Sequence, residues 1–315
     1  MAIGIHKLIP FSSLSPKRSL LGLFFAKNGA RKAVRGENNK KEEKMAAKEE
    51  LGMRWLISLV LALALFPAPA FAISNAPIHW GLKRSENHEP PSAGKELDEL
   101  LAKYDAFYLG DTSEKTIYLT FDNGYENGYT AQILDVLKEK HVPAAFFVTG
   151  HYLQTAPDLV KRMAAEGHII GNHSWHHPDL TTESDEQVRE ELEKVKEKTE
   201  ELTGQKGMMY LRPPRGIFSE RTLSLARDLG YYHVFWSLAF VDWQTDRQRG
   251  WQYAYDQIMK QIHPGAILLL HSVSKDNAEA LPNVIDDLRK QGYTFASLDD
   301  LMAKKTGLHP WLFRP

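Results

Sequence analysis

From Thr116 onward, short runs of β-branched and apolar residues alternate with stretches of helical periodicity, and that alternation constrains the fold more than any other feature of the chain. Strands are expected at Thr116–Phe121, Ala144–Val148, His168–Gly171, Met208–Leu211, Tyr232–Trp236, Ala266–Leu270 and Tyr293–Ala296. Helices are expected over Tyr129–Lys140, Pro157–Glu166, Ser184–Thr203, Ser219–Leu229, Gln252–His263, Ala278–Gln291 and Leu298–Lys304. The punctuation agrees: Pro157 sits near a first turn, where its missing N–H costs nothing, Gly204 and Gly230 follow helix ends, and Ser219 stands at an N-cap. Strict alternation implies parallel strands joined by right-handed crossovers, hence one α/β domain built as a doubly wound sheet or a barrel. A dinucleotide-binding version is disfavoured, because no G-x-G-x-x-G turn follows the first strand.

The residues with chemistry to offer fall at the ends of these strands. Asp122 and Asn123 follow the first, His173-Ser174-Trp175-His176-His177-Pro178 the third and Arg212-Pro213-Pro214-Arg215-Gly216 the fourth; Asp242-Trp243 trails the fifth and His271 caps the sixth. Parallel α/β folds gather ligands at the C-terminal ends of their strands, so these segments are expected to converge on one rim. Singly, each has a plain structural use. Asp-Asn-Gly is a good turn former, His271 after an apolar run suits a packed core, Arg212 suits a loop ion pair, and Asp242-Trp243 suits a helix cap with a packed aromatic. His173 and His177 have the i, i+4 spacing that puts two imidazoles on one face of a helical turn, where they can share a metal ion. His79, His151, His168 and His263 read as surface or packing residues.

Composition narrows the chemistry. The chain has no cysteine, which removes a disulfide framework, a thiolate metal site and a cysteine nucleophile. Lys+Arg 39 against Asp+Glu 40 leaves a net charge of -1, so nothing in the overall balance points to nucleic acid as a partner. Met53-Arg54, the apolar run Trp55–Phe66 and the small-residue site Ala70-Phe71-Ala72 read as a signal peptide over 53–72, cut after Ala72, and predict export to the cell wall. A single-pass anchor is the weaker reading, since a span needs about 20 apolar residues. Residues 1–52 read as a disordered polar extension, with Met53 the more usual start. Residues 73–114 then form an irregular lead-in with one short helix near Lys95–Tyr104, residues 115–305 the domain, and residues 306–315 a tail.

Taken in order, Thr120-Phe121-Asp122-Asn123-Gly124, His173-Ser174-Trp175-His176-His177, Arg212-Pro213-Pro214-Arg215-Gly216, Asp242-Trp243 and Leu269-Leu270-His271 resemble the five motifs of the polysaccharide deacetylases, the NodB-homology or carbohydrate esterase family 4 proteins. The resemblance runs from about Thr116 to Lys304 and implies a distorted (β/α)7 barrel with one catalytic domain. It also implies roles. An amide carbonyl is a poor electrophile, so a divalent ion, zinc by resemblance, would be held by His173 and His177 to polarise it and acidify a water. Asp122 would be the general base and Arg212 its anchor; the backbone N–H of Arg215 would meet the oxyanion; His271, tuned by Asp242, would protonate the leaving amine. Trp243 and Leu269 would enclose the acetyl methyl.

The chain departs from the family pattern in three places. Asn123 replaces the second aspartate of the first motif, a metal ligand in the family, and its neutral amide oxygen is a weaker donor. Ala239 falls where the fourth motif has its first aspartate, and Arg215 replaces a common tyrosine. With the stretches Thr120–Thr130, Leu211–Ser219 and His271–Leu281 and the lead-in Ile73–Trp80, these departures look like the δ-lactam-biosynthetic de-N-acetylases of endospore formers. That subgroup implies removal of the N-acetyl group from muramic acid in peptidoglycan strands freed of stem peptide, followed by closure to the muramic δ-lactam of spore cortex. Arg215 would be free to meet the lactyl carboxylate. The expected partner is the glycan strand, with no stable protein partner inferred. Competing readings are a deacetylase of chitin, xylan or N-acetylglucosamine, or a non-catalytic glycan-binding relative. Retention of Asp122, Arg212, Asp242 and His271 argues against the last.

Overall fold

The computed structural model describes residues 36, 40–58, 73–83 and 87–309. The chain divides into two compact units, 1–72 and 73–315. In the first, 40–58 form a helix with every side chain exposed. Residues 40–52, part of the 1–52 stretch expected to be disordered, lie in this helix while burying nothing; the lysine, glutamate and alanine of 40–52 are strong helix formers. Residues 59–72, most of the expected signal peptide, lie outside the described residues, as do 310–315. Among the described residues no helix is long and apolar enough to cross a membrane.

The second unit runs β1 (Ile78–His79), α1 (Lys95–Lys103), β2 (Thr116–Asn123), α2 (Thr130–Glu139), β3 (Ala144–Val148), α3 (Gly150–Thr155), α4 (Pro157–Ala165), β4 (Ile169–Asn172), α5 (Asp185–Thr203) and β5 (Tyr210–Leu211). A short 3-10 turn (Pro214–Gly216) leads into β6 (Ile217–Phe218), α6 (Glu220–Asp228), β7 (Tyr232–His233), α7 (Trp251–Gln261), β8 (Ile267–His271), α8 (Lys275–Lys290), β9 (Thr294–Phe295) and α9 (Leu298–Thr306). The main sheet has seven strands in the order β7-β5-β4-β3-β2-β8, with β9 also against β2, and all its pairings are parallel. All eight residues of β2 are buried, as the central strand of a parallel sheet covered on both faces requires. Helix starts follow the capping rules: Ser184 with Gln187, Ser219 with Thr222 and Ser297 with Asp300 each form a reciprocal capping box. Gly204 ends α5 in the left-handed conformation that glycine adopts without penalty.

The sheet curls into a distorted barrel whose seam is not closed by ordinary strands. β7 keeps only Tyr232–His233 of the expected Tyr232–Trp236, because the residues after it turn to bridge the gap. Val234 pairs with Phe107, and Leu238 pairs with Leu268 of β8. The lead-in, expected to be irregular, supplies the rest. Leu109 bridges Ala266, Gly110 donates its N–H to Gly265 O at 2.8 Å, and β1 pairs antiparallel with β6. Its α1 matches the expected short helix and packs Leu101 and Tyr104 with Trp80, Phe218 and Phe235 in one buried cluster. Smaller differences are local: α3 was not expected, β5 is shorter than Met208–Leu211, and α8 starts at Lys275 because Ser274 caps it.

Candidate active site

The parallel register of β2 and β8 sets Asp122 directly beside His271, so the expected base and acid end neighbouring strands. Each is backed by a buried partner. Arg212, fully buried, places Nη1 2.8 Å from Asp122 Oδ1, donates Nε–H to Val234 O at 3.0 Å, and stacks on the Phe147 ring 4.2 Å away. Burial alone would raise the Asp122 carboxyl, but Arg212, His173 and His271 together outweigh it and hold the group below the usual carboxylate range. Asp242 Oδ1 lies 2.7 Å from His271 Nδ1, while its Oδ2 accepts the His271 backbone N–H at 2.8 Å and an Asn277 Nδ2 hydrogen at 2.5 Å. Burial opposes a charge on His271, yet Asp242 overcomes it and raises the imidazole above its ordinary value.

His173 and His177 come together with ring centroids 4.8 Å apart, but not on a helical turn. The loop after β4 carries Ser174 at φ 63° and His177 at φ 60°, and the His177 N–H bonds Ser174 Oγ at 3.0 Å. Left-handed non-glycine residues such as these are uncommon and recur where structure is held for function. The loop fits because Gly150 has no Cβ: one placed there would lie 2.2 Å from the Trp175 ring. His173 Nδ1–H donates to Arg212 O at 2.8 Å, which leaves its Nε2 lone pair open, 3.5 Å from Asp122 Oδ2. Burial, and then the neighbouring His173, pull His177 down to about 4; burial also lowers His173, so both rings are neutral near neutral pH.

These groups share one cleft of about 1020 Å³. Asp122, His173, His177, Arg215, Trp243, Leu269 and His271 line it, with Trp243 packed 5.4 Å from the His271 ring. Arg212 and Asp242 sit behind the base and acid they support. Asn123 is placed differently from the expectation of a ligand facing the cleft. It is fully buried, donates Nδ2–H to Ser272 Oγ at 2.6 Å, and is absent from the cleft lining. Side chains alternate along a strand, so Asp122 and Asn123 leave opposite faces of β2. Motif reading missed Tyr125, Trp175 and Trp236 in the walls, Asn277 behind Asp242, and Glu191, which binds His176. Tyr125 and Asn277 fall inside the stretches Thr120–Thr130 and His271–Leu281, without a role of their own in the sequence pattern, and Glu191 lies outside every motif, marked only by its contact with His176.

A carboxylate base, an imidazole acid and a neutral imidazole pair around an open cleft define a hydrolase for acyl–nitrogen or acyl–oxygen bonds. A match to the polysaccharide deacetylase family covers residues 109–234. The peptidoglycan-N-acetylmuramic acid deacetylase PdaA of Bacillus subtilis is 60% identical over 256 residues, spanning 80% of this chain and 97% of that protein. The solved structure of B. subtilis PdaA, a family 4 carbohydrate esterase, superposes with a TM-score of 0.73 at 62% identity, covering 74% of this chain and 100% of that one. A family 4 carbohydrate esterase from Bacillus anthracis superposes with a TM-score of 0.63 at 59% identity, covering 74% and 99%. The chain belongs to the polysaccharide deacetylases, carbohydrate esterase family 4.

Deacetylases of this family are generally metal-dependent. His173 and His177 fit a divalent ion as a pair of neutral imidazoles with an open Nε2 on His173. Among the described residues no group of three His, Cys, Asp or Glu is arranged to hold one. Among the described residues the Asn123 Oδ1 atom is buried without a hydrogen-bond partner.

Proposed function

We propose that the protein removes the N-acetyl group from N-acetylmuramic acid in peptidoglycan strands freed of stem peptide, leading to muramic δ-lactam in spore cortex. Arg215 carries this reading: it places a cation in the same cleft as the base and acid, where the free lactyl carboxylate of muramic acid needs a partner. Residues 53–72 serve as the signal peptide that delivers the enzyme to the wall.

Asp122 takes a proton from water as the water oxygen bonds to the acetyl carbonyl carbon. Arg212 keeps that carboxylate ionised and aimed. The oxyanion is met by the Arg215 backbone N–H, and Trp243 and Leu269 enclose the methyl. His271, held protonated by Asp242, gives its proton to the nitrogen as the C–N bond breaks, releasing acetate and a free amine. His173 and His177 would hold a divalent ion, zinc by family resemblance, which would supply Lewis-acid polarisation to the site.

Mass spectrometry of peptide-free glycan strands incubated with the protein tests the assignment. Loss of acetyl, with or without the further loss of water on lactam closure, is expected; an unchanged muramic acid alongside deacetylated chitin oligomers would sink it. Arg215→Ala should raise KM for muramic acid strands by about tenfold or more, the worth of a hydrogen bond to a charged group, and affect chitin oligomers less. Equal losses on the two substrates would remove the lactyl contact. His173→Ala and His177→Ala should each weaken zinc binding measured by calorimetry and remove activity together. Full activity after exhaustive chelation would show that the pair has another use.

A further inference from the structure

On helix α5 one carboxylate is buried while the other acidic side chains are exposed, and both of its oxygens go to a single residue at the edge of the cleft. Glu191 Oε2 accepts the His176 backbone N–H at 2.8 Å, and Oε1 lies 2.5 Å from His176 Nδ1. Burying a carboxylate is costly unless its partners are fixed, and here they fix one ring in one orientation and one tautomer. With Nδ1–H donated to Glu191, Nε2 is left over, and among the described residues it takes no hydrogen bond. His176 lines the cleft with its side chain 66% exposed, whereas His173 is 4% exposed on the floor. The construction repeats the Asp242–His271 pair, yet His176 has no place in the proton transfers assigned to Asp122 and His271. Its exposure puts it on the rim. A sugar whose acetamide reaches Asp122 occupies the floor of the cleft and leaves the rim to the sugar beside it.

We propose that His176 is a substrate-binding residue whose Nε2 takes a hydrogen bond from a hydroxyl of the sugar adjoining the target in the glycan strand. Glu191 is the positioning residue that holds the ring. This rests on the glycan-strand reading above. No titration is involved; the contribution is one oriented hydrogen bond.

The test compares acetate release from strands of several repeats and from the single-repeat disaccharide. His176→Ala should raise KM on the long strands about fivefold, the worth of one neutral hydrogen bond, with a smaller change in kcat and a smaller rise on the disaccharide. His176→Gln, which keeps a polar atom at similar reach, should recover part of the loss. Glu191→Gln should move KM in the same direction without changing the circular dichroism spectrum. An equal rise on both substrate lengths, or a loss confined to kcat, overturns the contact, because either means that His176 serves the His173–His177 loop. Wild-type protein is assayed in parallel. An inactive wild type overturns the glycan-strand reading and this proposal with it, whereas an active wild type with an indifferent His176→Ala overturns this proposal alone.

Discussion

Asp122→Asn should lower kcat/KM on peptide-free glycan strands by on the order of 10³-fold, the middle of the range for loss of a general base. The substitution keeps the shape of the side chain and an oxygen for Arg212, so the fold should survive with a lower Tm, Arg212 having lost its countercharge, and the loss of rate measured below that Tm should be chemical. The pH profile gives a second reading of the same assignment. Asp122 must be ionised to act, so activity falls as pH drops through its folded pKa, which Arg212, His173 and His271 together hold below the ordinary carboxylate value against the upward push of burial. His271 must be protonated, so activity falls as pH rises through its folded pKa, which Asp242 holds above 6.5 against the downward push of burial. Wild type should therefore give a broad bell. In Asp122→Asn the residual rate should lose the acid limb and keep the alkaline one. An undiminished rate, or an acid limb unchanged in the variant, would show that another group is the base.

The contrast between those two limbs follows from how the site is built, and much of that construction was legible in the chain. Strand–helix alternation located β2, β4, β5 and β8, and Asp122, His173, Arg212 and His271 lie at or just past their ends, where side chains face an open rim. Asp242 and Trp243 instead lie in the irregular stretch well beyond β7. Pairing was less visible. That Asp122 lies beside His271 depends on the register of two strands far apart in sequence, which no local pattern encodes. The His173–His177 spacing suggested a helical turn, whereas the loop reaches the same proximity through left-handed Ser174 and His177, a geometry imposed by Trp175 packing on Gly150. Asn123 was weighed as a ligand from its place in the motif, yet strand alternation turns it away from Asp122 and toward Ser272. The seam was hidden for a related reason. Phe107, Leu109 and Gly110 carry no strand pattern of their own, and only the unpaired edges of β7 and β8 give them a role.

Arg212→Ala should be the most destabilising single change in the site. The wild-type side chain is fully buried and serves three acceptors at once: Asp122 Oδ1, Val234 O and Phe235 O. Truncation leaves a buried carboxylate without its countercharge, two carbonyls short of a donor, and a void beside the Phe147 ring. Breaking a buried pair in this way costs about 3–5 kcal/mol, which for a domain of this size corresponds to a fall in Tm of roughly 10 °C. Arg212→Lys should recover only part of it, since one ammonium cannot present the planar fork that reaches all three acceptors. The loss should also depend on pH. In wild type the depressed pKa of Asp122 contributes stability above the unfolded value, and this is lost as pH falls through the folded one. Without Arg212, burial dominates and raises Asp122, so protonation relieves the strain and the gap in Tm between variant and wild type should narrow toward acid pH. Replacing both partners, as Asp122→Leu with Arg212→Met, should be less destabilising than Arg212→Ala alone, because no buried charge is left unpaired. Thermal melts of the three variants from pH 4 to pH 8 decide the matter. A double variant as unstable as the single one, or a gap in Tm that does not narrow with acid, would mean that Arg212 holds the barrel together by packing rather than by pairing with the catalytic carboxylate.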